Sequence, residues 1–308
     1  MQLVASSVAE VVESLAAASV REPVTGFDLR RMARVLEYTP EDMTVTVEAG
    51  ITLAALQQKL SERGQWVPVD PPHADTLTVG ALLAQNSSGP RRCGYGTIRD
   101  HLLGIKVVLA DGRVIKAGGK VVKNVAGYDL CKLFVGSRGT LGAIVEATFK
   151  VLPRPEREEF VKAKLQTTTQ LQDFLETVNA SAITPVVLDV YAESGTPTLV
   201  VGFAGAREDV EWQLQRAREP GFGETASLEY EERFWHSSDE THSLSVLPSQ
   251  IAHSLGELAA ESYIVRAGNG VIYYRRGRPT VKPESPRELM RRIKETYDPK
   301  HVLPELPW

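Results

Sequence analysis

The chain has 308 residues, 43% of them hydrophobic and 24% charged, a composition typical of a soluble globular protein. Its formal net charge of −4 excludes a broadly basic nucleic-acid-binding protein. No run of about 18 apolar residues occurs, so no transmembrane helix is predicted, and Glu10 and Glu13 make the start a poor signal peptide. The two cysteines, Cys93 and Cys131, are too few to build a zinc or iron–sulfur centre alone, and we expect reduced thiols in a cytoplasmic protein.

The first half of the chain alternates helical and strand patterns. Apolar residues at helical spacing predict a helix over 7–18, and the alternation in Thr44–Glu48 predicts a strand. The other elements predicted here are a helix over 53–63, a strand over 66–69, a strand pair over 105–109 and 113–116, a helix over 130–134 and a strand over 143–152. The stiff segment Pro153-Arg154-Pro155 then marks a boundary, so we predict one domain over 1–155 and a second over 156–308.

The second half restarts with a strand–helix–strand–strand–helix order. The predicted elements are a strand over 160–165, a helix over 171–178, strands over 186–191 and 198–203, a helix over 208–218, a hairpin over 263–266 and 271–275, and a helix over 286–294. This order predicts an α+β domain of the split-βαβ type.

Two segments of the first half are rich in small residues. Thr76–Gly96 is dense in Gly, Ser, Thr and Asn, which let a backbone approach a ligand closely or cradle an anion with N–H groups. Ordinary tight turns would give the same composition, so this segment alone leaves both interpretations open. Gly136, Gly139 and Gly142 recur just before a strand, the reverse of the strand–glycine–helix order that a dinucleotide-binding fingerprint requires.

Together, the two segments resemble the FAD-binding domain of the vanillyl-alcohol-oxidase type, also called the PCMH fold. The resemblance is carried by DPPHADTLTVGALLAQNSSGPRRCGYGTIRD at 70–100 and by residues 127–152. It is closest to GlcE-type subunits of glycolate oxidases, in the stretches PVTGFDLRRM, DPPH, SGPRR and KNVAGYDLCKLFVGSRGTLG. It implies an α+β fold, with a PCMH-type FAD-binding domain over 1–155 and a smaller, split-βαβ-like α+β cap domain over 156–308.

The same resemblance implies FAD as the cofactor and a multi-subunit oxidase as the setting. The implied partners are a catalytic flavin subunit and an iron–sulfur subunit; any membrane association would come through them. The implied cofactor-binding residues are mostly small or backbone-exposing. They are Pro72 at the isoalloxazine side, Thr78, Val79 and Gly80 along the flavin and its diphosphate, Asn86, Ser87 and Gly89 in the next flavin-side loop, and Gly139, Gly142 and Ile144 at the adenosine half.

One departure from the family concerns the loop that binds the FAD diphosphate. The family has a strand and a glycine-rich loop between its N-terminal helix and the PVTG segment. Here residues 18–22, Ala-Ser-Val-Arg-Glu, run directly into Pro23-Val24-Thr25-Gly26. Because a charge-assisted hydrogen bond contributes about 1.5–3 kcal/mol, we expect the loss of several N–H groups to lower the FAD affinity considerably.

A second departure concerns catalysis. Related flavin enzymes that oxidise 2-hydroxy acids carry a histidine- and acid-rich motif in the C-terminal domain. The matching place here is Arg266-Ala267-Gly268-Asn269-Gly270, which has no histidine. Proton abstraction needs a group of suitable pKa within hydrogen-bond reach, so we expect a companion subunit to carry the substrate chemistry and predict no catalytic residue here.

Three hypotheses remain for the function. The first is an FAD-binding subunit of a glycolate (2-hydroxy acid) oxidase complex that supports electron transfer. The second is a flavin-free subunit that keeps the fold as a docking surface, and the third is a self-sufficient FAD oxidoreductase. No metal site is predicted, because His236, Glu240 and His242 lack the spacing of a zinc-binding helix.

Overall fold

A computed structural model describes residues 1–119, 129–193, 196–219, 221–278 and 287–306. They form two compact units. The first contains Met1–Ser88, the described part of 97–154 and residues 287–306; the second contains Gly89–Gly96 and the described part of 155–278. Residues 287–306, which the sequence assigned to the second domain, thus group with the first unit. Within the described ranges no helix is long and apolar enough to span a bilayer.

The elements are numbered in chain order. Up to the break after Arg154 they are β1 (Gln2–Val4), α1 (Val8–Ala17), β2 (Gly26–Asp28), β3 (Val35–Thr39), β4 (Thr44–Glu48), α2 (Leu53–Ser61), β5 (Gln65–Trp66), α3 (Val79–Gln85), α4 (Arg92–Tyr95), α5 (Ile98–His101), β6 (Leu102–Val108), β7 (Val114–Gly118), α6 (Leu130–Phe134), β8 (Ala143–Lys150) and β9 (Leu152–Pro153). After it they are β10 (Arg157–Lys164), α7 (Thr168–Ala180), β11 (Val187–Ala192), β12 (Thr198–Gly205), α8 (Arg207–Ala217), β13 (Glu224–Thr225), α9 (Glu229–Trp235), β14 (His242–Ser245), α10 (Ile251–Leu258), β15 (Ser262–Arg266), β16 (Val271–Arg275) and α11 (Arg287–Tyr297).

The first unit is built on an antiparallel sheet in the order β3-β4-β8-β6-β7. In β4, Val45 and Val47 turn their side chains into the core, as the alternating pattern predicts. Helix α2 begins after Thr52, whose hydroxyl accepts the N–H of Ala55 at 3.2 Å. Two further strand pairs complete the unit: β1 with β2, in parallel, and β5 with β9.

A buried ion pair at the end of helix α11 forms hydrogen bonds with the rest of the first unit. The ammonium of Lys294 donates to the carboxylate of Asp298 and to the carbonyl oxygens of Thr140 at 3.0 Å and Leu303 at 3.4 Å. Asp298 in turn accepts the N–H groups of Val302 at 2.9 Å and Leu303 at 3.0 Å. Both charged side chains are almost completely excluded from water, so each depends on the other and on these hydrogen bonds.

The second unit confirms the split-βαβ expectation. Its sheet has the order β13-β10-β12-β11-β15-β16-β14, and β12 lies between β10 and β11, antiparallel to both. Alternate residues of the strands form two cores. One core joins the sheet to α7, α8 and α10, and the other joins Val200 and Ile264 to Tyr230 and Phe234 of α9.

One strand prediction is wrong, and several short helices were not predicted. The strand predicted over 66–69 is limited to Gln65–Trp66, because the side chain of Gln57 forms hydrogen bonds with the backbone of Val67. The Gln57 amide donates to the Val67 carbonyl at 2.6 Å, and the Gln57 side-chain oxygen accepts the Val67 N–H at 3.1 Å. Among the helices that were not predicted is α3, which lies in the segment Thr76–Gly96.

The buried ion pair gives a stability prediction. Asp298→Asn should lower the free energy of unfolding by about 3 kcal/mol, because it leaves the Lys294 ammonium buried without its counter-charge. Glu62→Gln is the matched control, since it removes one partner of the exposed pair Lys59–Glu62 and should change stability by less than about 1 kcal/mol. Chemical denaturation followed by tryptophan fluorescence measures both, and equal effects would contradict the prediction.

Candidate functional site

The N-terminal end of α3 is held by the strand end that precedes α2. Thr78 caps the helix, and its hydroxyl accepts the N–H of Ala81 at 3.2 Å. The N–H groups of Val79 and Gly80 donate to the carbonyls of Ile51 at 2.8 Å and Ala49 at 2.7 Å. These two amide groups therefore serve the packing of α3, and contacts of this end with a cofactor would have to come from other atoms.

Gly80 is explained by close backbone packing. A Cβ at this position would lie 3.1 Å from the Cβ of Ala49 and 3.2 Å from its carbonyl oxygen, which is tighter than ordinary contact. The small residue predicted to meet the cofactor thus already has a structural reason to be small.

The C-terminal end of α3 forms backbone hydrogen bonds with the loop that follows α6. Gly136 and Arg138 donate their N–H groups to the carbonyls of Leu83 at 2.9 Å and Ala84 at 2.8 Å. Asn86 ends the helix in the left-handed conformation, with φ of +52°. We call residues 85–87 and 136–138 the α3 corner; it joins the two segments that carry the family resemblance.

Two polar side-chain atoms are buried in the α3 corner without a hydrogen-bond partner in the described part of the chain. They are Oδ1 of Asn86 and Oγ of Ser137. A buried polar atom without a partner costs about 1–3 kcal/mol, so such atoms mark places where a water or ligand completes the bonding. The α3 corner therefore fits a polar ligand, and Ser137 is a candidate that the sequence analysis missed although it lies within the Gly136–Gly142 segment.

In the segment over 139–144, both glycines are required by the backbone conformation and by close packing. Gly139 has φ of +78°, and a Cβ there would lie 3.0 Å from the Phe27 ring. Gly142 has φ of +157°, and a Cβ there would lie 2.7 Å from the Val107 side chain. Ile144 is buried in β8, opposite Val107. The structure explains these residues by packing, and their contact with the adenosine half stays a prediction.

The remaining predicted residues are less tightly grouped. Pro72 is half-buried and is the first residue of the turn over 72–76. Ser87 lies in the α3 corner, where its hydroxyl is 3.1 Å from Oε1 of Gln85. Gly89 belongs to the second unit, where its carbonyl accepts the N–H of Arg92 at 3.3 Å. Residues 127 and 128, which begin the second segment of the family resemblance (127–152), lie outside the described residues.

The segment between α1 and β2 has no strand and no glycine. Residues 18–25 contain a single bridge, between Ser19 and Glu22, and β1 pairs directly with β2. The departure predicted for the diphosphate loop is therefore present in the structure.

In the second unit, Arg266 is the first residue of the segment over 266–270, which the family resemblance matches to the histidine motif of related enzymes. Its guanidinium donates to Asp189 at 2.5 Å and to both oxygens of Glu231 at 2.5 and 2.8 Å. Tyr230 donates to the same oxygen of Asp189 at 2.7 Å. We call Asp189, Tyr230, Glu231 and Arg266 the Arg266 cluster; the long separations in sequence left no local pattern by which to find it.

The electrostatics of the Arg266 cluster are unusual because two carboxylates share one guanidinium. Burial raises the pKa of Asp189 to about 7; Arg266 opposes this rise and the nearby Glu231 carboxylate adds to it. Asp189 is 1% exposed and Arg266 is 2% exposed. The described ranges contain no group of three or more His, Cys, Asp or Glu side chains placed to hold a metal ion.

The raised pKa of Asp189 predicts a pH dependence of stability. An unfolded Asp titrates near 3.8, so between about pH 4 and 7 the folded state retains a proton that the unfolded state releases, and stability falls as pH rises through this window. Asp189→Asn should therefore make the free energy of unfolding fall less between about pH 5 and 8 than in the wild type.

Denaturation curves at several pH values measure this difference. Glu229→Gln, an exposed carboxyl on the same helix as Glu231, is the control and should keep the wild-type slope. An unchanged or steeper fall in Asp189→Asn would show that Asp189 is already ionised below pH 5.

Comparison with known proteins shows which domains and subunits this chain resembles. Residues 10–118 match the FAD binding domain family. The glycolate oxidase subunit GlcE of Escherichia coli (strain K12) is 36% identical over 157 residues, which are 50% of this chain and 45% of that protein. The glycolate oxidase subunit GlcD of Bacillus subtilis (strain 168) is 34% identical over 203 residues, 61% of this chain and 43% of that protein. This chain thus spans less than half the length of these two relatives.

The fold has counterparts among solved structures. An alkyldihydroxyacetonephosphate synthase superposes with a TM-score of 0.73 at 19% identity, covering 98% of this chain and 75% of that one. At this identity the likeness concerns the fold alone, and it confirms the predicted α+β class. The chain carries an FAD-binding domain of the PCMH-type FAD-linked oxidase family and is homologous to the glycolate oxidase subunits GlcE and GlcD.

Proposed function

We propose that the chain is an FAD-binding subunit of a glycolate (2-hydroxy acid) oxidase complex, in which it supports electron transfer and another subunit deprotonates the substrate. The observation that carries this proposal is the homology to two glycolate oxidase subunits together with the FAD-binding domain. The partners in this proposal are a catalytic flavin subunit and an iron–sulfur subunit.

In this proposal the flavin binds at the α3 corner, where two buried polar side-chain atoms lack a hydrogen-bond partner among the described residues. Asn86 Oδ1 and Ser137 Oγ would each complete a hydrogen bond to the cofactor, and the half-buried Thr78 and Gly80 would line it. Val79 is completely buried and would contribute only by packing α3. Bound FAD supplies the capacity to take up an electron pair and pass the electrons on singly. The protein's own contribution is to bind and orient the cofactor, because no described residue of the α3 corner is suited to move a substrate proton.

The second unit supports the assignment of the substrate base to a partner. Arg266 cannot accept a proton, because a guanidinium stays charged in proteins. Asp189 has a raised pKa, but one of its oxygens is bound by Arg266 and Tyr230 and the side chain is 1% exposed. A general base has to reach the proton that it removes, and this carboxylate is enclosed by its own partners.

The alternative function is a flavin-free docking subunit of the same complex. The observation in its favour is residues 18–25, which hold no glycine and no strand where the family binds the FAD diphosphate. The two functions differ in one measurable property, which is whether the chain retains FAD.

The FAD proposal is tested by the visible absorbance of the purified chain after it has been mixed with FAD and desalted. We expect a retained flavin spectrum. Ser137→Ala and Asn86→Gly should each weaken FAD binding by about 5- to 10-fold, because each removes one hydrogen bond to the cofactor. Glycine is chosen at position 86 because it adopts the left-handed conformation without strain.

The control for these variants is Ser61→Ala, which removes an exposed hydroxyl at the end of α2. Thermal unfolding without FAD verifies that all variants are folded. A colourless wild-type protein would favour the flavin-free function, and full retention of FAD by both variants would move the cofactor away from the α3 corner.

Because another subunit is proposed to deprotonate the substrate, the purified chain alone should have little activity. Glycolate-dependent reduction of an artificial electron acceptor should stay near background, since we identify no substrate base among the described residues. Addition of the catalytic flavin subunit should raise the rate. Robust turnover by the chain alone would instead favour the self-sufficient oxidoreductase.

A further inference from the structure

The second unit contains a pocket of about 310 Å³ on the face of the sheet that α9 covers. The pocket lies at the ends of β15 and β16 that are remote from the connecting loop at 267–270. The lining residues that bear on ligand binding are Tyr191, Tyr230, Arg233, Phe234, Arg275 and Arg276. This volume is within the range of small-molecule sites.

The most informative residue of the pocket is Arg275. It is 4% exposed, its Nε donates to the hydroxyl of Thr241 at 3.0 Å, and its guanidinium carbon lies 4.2 Å from the centre of the Phe234 ring. Within the described residues no carboxylate lies within 4 Å of it. Burial lowers the pKa of Arg275, and Asp239 opposes this from a distance.

The other cations of the pocket have partners. Arg233 is paired with Glu193 at 2.6 Å, and Arg276 with Asp239 at 3.0 Å. Arg275 is therefore the pocket's one buried cation without a counter-ion among the described residues. A buried charge without a partner destabilises the fold, so its presence calls for a compensating function.

The rest of the lining combines aromatic and apolar side chains with the polar side chains of Ser237, Ser262 and the exposed Glu261. The rings of Tyr191 and Tyr230 are stacked, with centroids 4.5 Å apart and planes inclined by 2°. Phe234 and Ile264 add further apolar surface on the same face of the sheet. The Tyr230 hydroxyl is already bound to Asp189, which leaves its ring as the part available to a ligand.

We propose that this pocket binds a small organic carboxylate with a flat apolar body. The guanidinium of Arg275 pairs with the carboxylate, because its planar fork of donors matches the two oxygens. The aromatic side chains contact the apolar body. This goes beyond the proposed oxidase role and does not depend on FAD, since every residue used belongs to the second unit.

The test is calorimetric titration of the full-length chain with benzoate as the probe. Benzamide, its neutral counterpart of similar shape, should bind at least about 10-fold more weakly, because it lacks the charge that Arg275 pairs with. Inorganic phosphate should bind weakly as well, because it lacks the apolar body.

Arg275→Met and Arg276→Met form a matched pair of variants. Both remove a guanidinium, but the Arg276 side chain is 71% exposed and already paired. Arg275→Met should weaken benzoate binding about 10-fold or more, whereas Arg276→Met should leave it within about 2-fold. Thermal unfolding of the ligand-free protein verifies that Arg275→Met is folded, since this variant also loses the hydrogen bond to Thr241 and the contact with the Phe234 ring.

A second variant keeps the proposal open to refutation if Arg275→Met does not fold. Ser262→Trp adds a bulky side chain at a half-buried lining position and should block benzoate by filling the pocket. No heat of binding in the wild type, equal binding of benzoate and benzamide, or undiminished binding in a folded Arg275→Met protein would each overturn the proposal.

Discussion

Helix α3 owes its position to backbone hydrogen bonds at both of its ends, and the candidate cofactor residues depend on them. The first N–H groups and last carbonyls of a helix have no partner within the helix. Here the N–H groups of Val79 and Gly80 bond to the strand end before α2, while the carbonyls of Leu83 and Ala84 accept from the loop after α6. The small residues of both segments thus allow close backbone packing first. The buried polar atoms that remain without a partner at the α3 corner are Asn86 Oδ1 and Ser137 Oγ.

The sequence predicted elements well where a local pattern decides the structure. The strand Thr44–Glu48 and the helix Leu130–Phe134 have the bounds that alternation and spacing indicated. Helix α3 was missed although Val79, Leu82 and Leu83 have the i, i+3, i+4 spacing of one helix face, because its seven residues are only two turns and include a glycine. A helix this short depends on tertiary contacts for its stability. The predicted strand does not continue past Trp66, because the side chain of Gln57 forms hydrogen bonds with the backbone of Val67, ten residues further along the chain.

The polar groups of the second unit show why the candidate sites could be predicted only in part. Arg266 and Asp189 are 77 residues apart in the chain, and Arg275 and Thr241 are 34 apart. No spacing rule joins such residues; the pairing of β11 with β15 and β16 with β14 brings them together. The family resemblance predicted flavin-side segments, since these are continuous stretches of sequence. It gave no information on clusters that the sheet assembles from separate strands.

The direct pairing of β1 with β2 has a consequence for how this fold can change. The two strands run parallel, with α1 as the crossover, and register Leu3 against Phe27 without any strand between them. This strand pair is therefore complete without a further strand or a glycine-rich loop between α1 and β2. The edge of the first unit that these strands form does not depend on a diphosphate-binding loop for its hydrogen bonding, so the length of this segment can vary without breaking the pair.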